Sequence, residues 1–329
     1  MIDISILIPS VLILVLLIVP GFLMSKFRLA GEGFGKGLSN LVLYVAQPAL
    51  FIAGYVAVDA TREIVFRMVM IFVLACLFHL LFFAAGKLVF KNSPEGKKQV
   101  LVFSTVFTNA GYMGIPLLEA LFFDTHPEIA IYGSVYVLAF NIMAWSLGAY
   151  IYTGDKSYIS VKKIVLNPAT ISCAIGIVFF AFSAIPTLKD AVVVPLFRDT
   201  DSIVYSLINM LKSLVAPLSM MVTGLRMAQL KLRSVVKDAR LYINFLLTLL
   251  VLPALIFGLM KLLSLCGIYH DALATSVLVM SASAPAAAIT CMFAEKFDGD
   301  AVYASVIVSL TSVLCVVSMP LVCSLTQFY

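Results

Sequence analysis

Long apolar runs separated by short clusters of charge dominate the chain. Read between those clusters, they predict ten membrane-crossing helices. The first five are approximately Ile4–Met24, Leu38–Val58, Ile64–Phe90, Gln99–Phe123 and Ile129–Tyr152. The second five are Pro168–Ile185, Ser202–Leu225, Ala239–Leu265, Asp271–Ala294 and Ala301–Thr326. Each comes close to the ~20 apolar residues that a bilayer core demands. The first run begins at Ile4 with no basic segment before it and is long enough to span, so it reads as a first helix and not a cleaved leader.

Composition sharpens this into a class. The 329 residues are 62% hydrophobic and 12% charged, with a mean hydropathy of +1.09, whereas soluble domains are about 45–50% apolar and ~25% charged. A soluble domain, a disordered chain, a disulfide scaffold and a nucleic-acid binder are excluded together. The expected fold is an all-α polytopic membrane protein lodged in the lipid bilayer. The six cysteines all lie in apolar stretches without CxxC spacing and read as small packing residues.

The net charge of +5 matters through its distribution. Alternate loops on one side collect sixteen basic residues, from Lys26, Arg28 and Lys36 through Arg226, Lys231, Arg233, Lys237 and Arg240 to Lys296. The other side has five: Arg62, Arg67, Lys189, Arg198 and Lys261. Basic loops stay cytoplasmic, so the expectation is a plasma-membrane protein with both termini extracytoplasmic. The loop Glu295–Asp300 is the weak point, with one lysine among three acids.

The chain also matches itself at an offset of about 170 residues. The stretch Leu121–Val135 runs without gaps against Met292–Val306, pairing Phe122 with Phe293, Ala130 with Ala301 and Tyr132 with Tyr303. Val45-Ala46-Gln47-Pro48 resembles Val215-Ala216-Pro217, and Gly54 lies near the position of Gly224. The predicted organisation is a first repeat over 1–152, a cytoplasmic link over 153–167 and a second repeat over 168–329. Five spans per half would turn the second half upside down, the inverted-repeat plan of secondary transporters.

Two spans are interrupted at corresponding places. The fourth carries Asn109, Gly111, Gly114 and Pro116 within eight residues, and the ninth carries Ser281, Ser283 and Pro285. Glycine and proline weaken a helix, and freed backbone in hydrocarbon persists only where protein or a watered cavity satisfies it. Half-helix N-termini at such a break favour an anion. These seven residues are therefore the candidate substrate site. The plain alternative is two ordinary proline kinks.

Asn109-Ala110-Gly111-Tyr112-Met113-Gly114-Ile115-Pro116-Leu117 resembles the N-x-G-[FY]-x-G-[IL]-P-L signature of the auxin efflux carrier family, which includes plant PIN-FORMED carriers and bacterial carriers of malate and malonate. The resemblance covers essentially the whole chain. It implies a five-plus-five inverted repeat with the fourth and ninth helices crossing at the midplane, similar to bile-acid symporters and sodium/proton antiporters, working by elevator-type alternating access. It further implies that Asn109 contacts a substrate carboxylate. The ninth span has no matching asparagine, only Ser281 and Ser283, which points away from indole-acetate toward a smaller or differently held anion. The short link 153–167 resembles bacterial members.

Ionisable groups inside spans are functional candidates by default. Glu119 reads as a proton or cation carrier, or else as a charge nearing the outer surface. Lys212 reads as a counter-ion to a substrate carboxylate or to Glu119, or else as a snorkelling lysine. His79 has the range for proton coupling but suits a packing role. Asn40, Asn141, Asn209 and Asn244 are expected to bond across helices. The acids that follow the broken helices, Asp124, Glu128, Glu295, Asp298 and Asp300, read as helix caps, or else as gating or cation-attracting groups.

The reading that results is a secondary transporter of a small organic anion (malate, malonate or an auxin-like acid), with protons as the candidate coupling ion. Nothing calls for a cofactor or a metal, and a homodimer is left open. An intramembrane enzyme would need a motif such as HExxH or GxSxG, and a sensor or scaffold would need an appended domain; the chain offers neither.

Overall fold

The computed structural model describes residues 4–31, 33–228 and 237–326. Lys231 and Arg233 of the predicted basic belt lie outside the described residues, as does Tyr329. The described chain is all helical. Seven helices are long and apolar enough to cross a membrane: α1 (Ile8–Lys26), α2 (Phe34–Val56), α3 (Arg62–Val89), α6 (Ile129–Thr153), α8 (Ile203–Met227), α9 (Ala239–Leu265) and α12 (Ala301–Leu325). An eighth is reached if α7 (Pro168–Phe182) is joined to Lys156–Val165, from which it is bent by 47°. The predicted fourth and ninth spans are each two short helices, α4 (Lys97–Val106) with α5 (Ala110–Phe122) and α10 (Ala272–Ser283) with α11 (Ile289–Lys296).

Proline explains three of the local irregularities. Widened, π-type turns occupy Val42–Ala46, Ala110–Gly114 and Leu247–Val251, and in each case proline follows two residues later, at Pro48, Pro116 and Pro253. Proline cannot donate to the i−4 carbonyl and its ring clashes with it, so the turn before it opens to a longer hydrogen-bonded ring. Starts are marked conventionally: the side chains of Thr61, Asn167, Ser202, Asp238, Asp271 and Asp300 cap α3, α7, α8, α9, α10 and α12.

Burial sorts the helices into centre and rim. In α6 and α12 the most apolar window is 67% and 61% buried, against 22% in α1 and 17% in α8. The repeat-related Tyr132 and Tyr303 are fully buried on the two central helices. Rows such as Phe66, Val69, Val73 and Leu77 on α3 stay exposed, an apolar surface suited to lipid and far too extensive for water.

The rim helices pair reciprocally across the two halves. Ile18–Lys26 of α1 packs along Val215–Met227 of α8, while α7 packs along Gln47–Val56 of α2. At the first contact Gly21 and Gly224 let backbones touch: a Cβ on Gly21 would collide with the Met221 carbonyl, and one on Gly224 with the Ile18 carbonyl. This is the small-residue packing expected where helices cannot gain from excluding water. Gly21→Ala and Gly224→Ala are each expected to destabilise by about 1–3 kcal/mol, the range for overpacking. Gly258→Ala, which points into open space, should not. Thermal unfolding in detergent would decide, and an unchanged midpoint in Gly224→Ala would refute the close approach.

Two ion-pair clusters tie the central helices together. On α3, Arg67 bonds Asp271, the N-cap of α10, and its guanidinium lies 5.6 Å from the Tyr132 ring centroid. At the start of α4, Lys97 bonds Asp238, the N-cap of α9, at 3.2 Å and lies 4.8 Å from the Tyr303 ring centroid. Partial burial raises the Asp238 carboxyl, but the Arg240 N–H and the Lys97 ammonium outweigh it and hold its pKa below the usual carboxylate value. A third cluster, Lys189 and Arg198 on Asp59 at 2.5 and 2.6 Å, ties the end of α2 to the second half.

Candidate functional site

The two breaks meet. Between α4 and α5 the chain leaves helical geometry at Phe107, and between α10 and α11 it does so at Ala284. The freed backbone groups then satisfy one another. Asn109 N–H donates to the Pro285 carbonyl at 2.6 Å, and Ala287 N–H donates to the Phe107 carbonyl at 2.9 Å, so Thr108 and Ala286 face each other as one antiparallel bridge. Thr108 Oγ1 donates to the Ser281 carbonyl at 2.7 Å, satisfying a C-terminal group of α10, and Ala286 N–H donates to Thr311 Oγ1 of α12 at 3.1 Å. Irregular backbone survives in this apolar setting because each break supplies the other's missing partners.

The sequence-predicted site residues converge here. Asn109 is nearly buried and opens α5, its carbonyl accepting from Met113 N–H at 3.1 Å. A Cβ on Gly111 would come within 3.1 Å of Gln47 Nε2, and one on Gly114 within 3.6 Å of Ser281 Cα, so the glycines allow α2 and α10 to press against α5. Ser281 is fully buried and its hydroxyl has no partner among the described residues. The Ser283 hydroxyl, by contrast, is committed to the Met280 carbonyl at 2.9 Å. Pro285 is the acceptor at the bridge, and Pro116 sits in the first turn of the regular part of α5.

Pro116 also lines an open cavity of about 280 Å³ with Leu50, Glu119, Lys212, Val215 and Ala216. Lys212 Nζ of α8 lies 2.8 Å from Glu119 Oε1, approaching off the hydrogen-bond direction, and 5.1 Å from the Phe123 ring centroid. The two side chains are only 20% and 15% exposed, so Lys212 is a counter-ion to Glu119 and does not snorkel away. The pair joins a rim helix to a broken one.

His79 is placed elsewhere. It is buried with Nδ1 2.6 Å from the Ala75 carbonyl, its ring among Phe107, Tyr136 and Phe140, and it does not line the Glu119 cavity. Asn244 bonds across helices, to the Leu101 carbonyl at 3.1 Å and Thr105 Oγ1 at 2.9 Å. Asn141 and Asn209 turn back onto their own helices, bonding the Val137 and Tyr205 carbonyls. Of the acidic residues, Asp300 caps α12 through Tyr303 N–H at 2.9 Å, whereas Glu128 pairs with His126 at 3.3 Å. Cys266 is exposed at the end of α9, unlike the buried Cys173, Cys291, Cys315 and Cys323.

Two residues at the crossing were not anticipated as site residues. Gln47 accepts from the Tyr112 hydroxyl at 3.4 Å; a polar residue beside Pro48 in an apolar run was the available signal. Arg226, counted in a cytoplasmic loop, is half-buried and donates to the Ala288 carbonyl at 3.4 Å. Nothing in its sequence context separates it from the other basic loop residues.

A family model described as membrane transport protein matches residues 6–323. The chain belongs to that family, the auxin efflux carriers. An uncharacterized transporter of Methanocaldococcus jannaschii is 27% identical over 319 residues, covering 94% of this chain and 96% of its own length. Another, from Methanothermobacter thermautotrophicus, is 26% identical over 320 residues, covering 95% of each. This family member is therefore a multi-pass membrane transporter with a small-molecule substrate.

Proposed function

We propose that this chain moves a small organic anion across the plasma membrane by alternating access, through two inverted five-span halves at 1–152 and 168–329 joined by the link 153–167. In this reading α4–α5 and α10–α11 are the broken fourth and ninth spans of ten, and both termini are extracytoplasmic. The observation that carries it is the mutual satisfaction of the two breaks, Asn109 to Pro285 and Ala287 to Phe107. The reciprocal packing of α1 on α8 and α7 on α2 supports two equivalent halves. A break of this kind leaves the first N–H groups of α5 and α11 without intrahelical acceptors and aims two positive dipole ends at one locality. Anionic substrate groups bind at such ends in transporters of this plan.

Rim helices would form the scaffold and the central helices the moving body. Glu119 and Lys212 lie on the seam between them and are the coupling pair: protonating Glu119 would release Lys212 for the substrate. His79 backs the crossing and takes no part.

Ligand-dependent thermal shift of purified protein tests the substrate class, using acetate, malonate, malate and indole-3-acetate. At least one carboxylate is expected to stabilise the wild type, with about tenfold weaker affinity in Asn109→Ala, equal to ~1.4 kcal/mol. A ligand that stabilises both forms equally removes Asn109 from the site. For orientation, a reporter fused after Tyr329 and active only in the cytoplasm would sink the assigned topology.

A further inference from the structure

We propose that Arg226 is the residue that neutralises the substrate's carboxylate at the crossing, an assignment that rests on the organic-anion reading above. Arg226 leaves the last turn of α8, and its guanidinium ends at the Ala288 carbonyl, one residue before α11 begins. It therefore lies at the positive end of α11 (eight residues, Ile289–Lys296). It is also within electrostatic reach of Tyr112, in the first turn of α5, and beside the Cys291 thiol. The guanidinium thus sits at the start of α11 and within electrostatic range of the start of α5.

Its partners are the decisive point. Arg67, Lys97, Lys189, Arg198 and Lys212, partly buried cations that tie helices together, each hold a carboxylate, on Asp271, Asp238, Asp59, Asp59 and Glu119. Among the described residues Arg226 has no carboxylate within ion-pair distance; its acceptors are the Ala288 carbonyl, at the long distance of 3.4 Å, and the weakly accepting Cys291 sulfur. A half-buried guanidinium with five donors is poorly satisfied by one long carbonyl bond and a thiol. Two hydroxyls on the broken spans repeat the pattern. Thr290 in the first turn of α11 and Ser281 at the crossing are both fully buried, and neither hydroxyl has a partner among the described residues. A carboxylate, planar and accepting through two oxygens, matches a guanidinium fork in a way that a lysine ammonium does not. A cation, two helix starts and idle hydroxyl donors fit a carboxylate and repel a cationic substrate.

The same geometry places Lys212 in the middle of α8 and Arg226 in its last turn, fourteen positions apart in sequence, which brings both back to nearly the same face of a helix of 3.6 residues per turn. One faces α5 and the other α11. The scaffold helix thereby presents a cation toward each of the two broken spans, Lys212 held by Glu119 and Arg226 left for the substrate.

The test measures carboxylate binding in purified wild type, Arg226→Gln, Arg226→Lys, Asn109→Ala and Lys91→Gln, a loop lysine on the protein surface that serves as control. The probes are acetate, malonate, malate and indole-3-acetate. A carboxylate that binds wild type and Lys91→Gln alike should bind Arg226→Gln at least tenfold more weakly, with Arg226→Lys intermediate. In unmodified protein, the same carboxylate should slow phenylglyoxal labelling of Arg226, read by peptide mass spectrometry, which keeps the test decisive if Arg226→Gln does not fold. Undiminished binding to Arg226→Gln, or labelling that the carboxylate leaves unchanged, overturns the assignment while Asn109→Ala still reports on the anion site. Absence of binding by the wild type to every carboxylate overturns the anion reading and the assignment with it.

Discussion

Glu119→Gln is expected to abolish the response of transport to a proton gradient. In proteoliposomes loaded with the carboxylate that stabilises the protein, acidifying one side should change the wild-type initial rate severalfold and leave that of the variant flat. The reason is geometric. Glu119 and Lys212 face each other at 2.8 Å across the seam between α5 and α8, mostly shielded from solvent, so the carboxyl's charge state decides whether Lys212 is engaged. Glutamine fixes the neutral form. A Lys212→Met, Glu119→Gln double variant, which removes both charges without leaving one unpaired, should be as insensitive to the gradient and better folded than Lys212→Met alone. If Glu119→Gln responds to acid as the wild type does, protons are not coupled through this pair.

Arg67→Asp should be the most damaging single substitution to folding. It removes the cation shared by Asp271 and Glu63 and places a third acid beside them. Breaking a buried pair costs about 3–5 kcal/mol; with Arg67 and Asp271 at 19% and 11% exposure, a loss on the order of 3 kcal/mol remains after solvent screening. Exchanging the charges, Arg67→Asp with Asp271→Arg, should restore part of that loss, and the recovered midpoint in thermal unfolding measures the coupling. No recovery in the exchanged pair would mean that the two side chains do not stabilise each other.

That pair also shows where sequence reasoning stops. Residues 67 and 238 stand at the same offset as Tyr132 and Tyr303, so the clusters Arg67–Asp271–Tyr132 and Lys97–Asp238–Tyr303 are the same device built twice. The tyrosines were visible as a match. The ion pairs were not, because the cation sits on the third span in one copy and on the fourth in the other, and identity matching cannot register an exchanged sign. The spans were legible because apolar runs must be about as long as a bilayer is thick, and the breaks because proline and glycine interrupt them. Arg226 was illegible for the converse reason. A tally of basic residues by side assigns every one of them to orientation, and only the tertiary path of α8 past α11 reveals that this one turns inward.

The reciprocal seating of α1 on α8 bears on how the chain is made. The Gly21 face has no companion until Val215–Met227 has been synthesised, roughly 200 residues later. At about 5–20 residues per second that interval is on the order of 10–40 s. Throughout it the first half stands in the bilayer with an unfilled groove, as α2 does until α7 arrives. The nascent chain is thus assembled like a clasp whose first hook is cast long before its eye, and the insertion machinery must keep the early helices from finding other company.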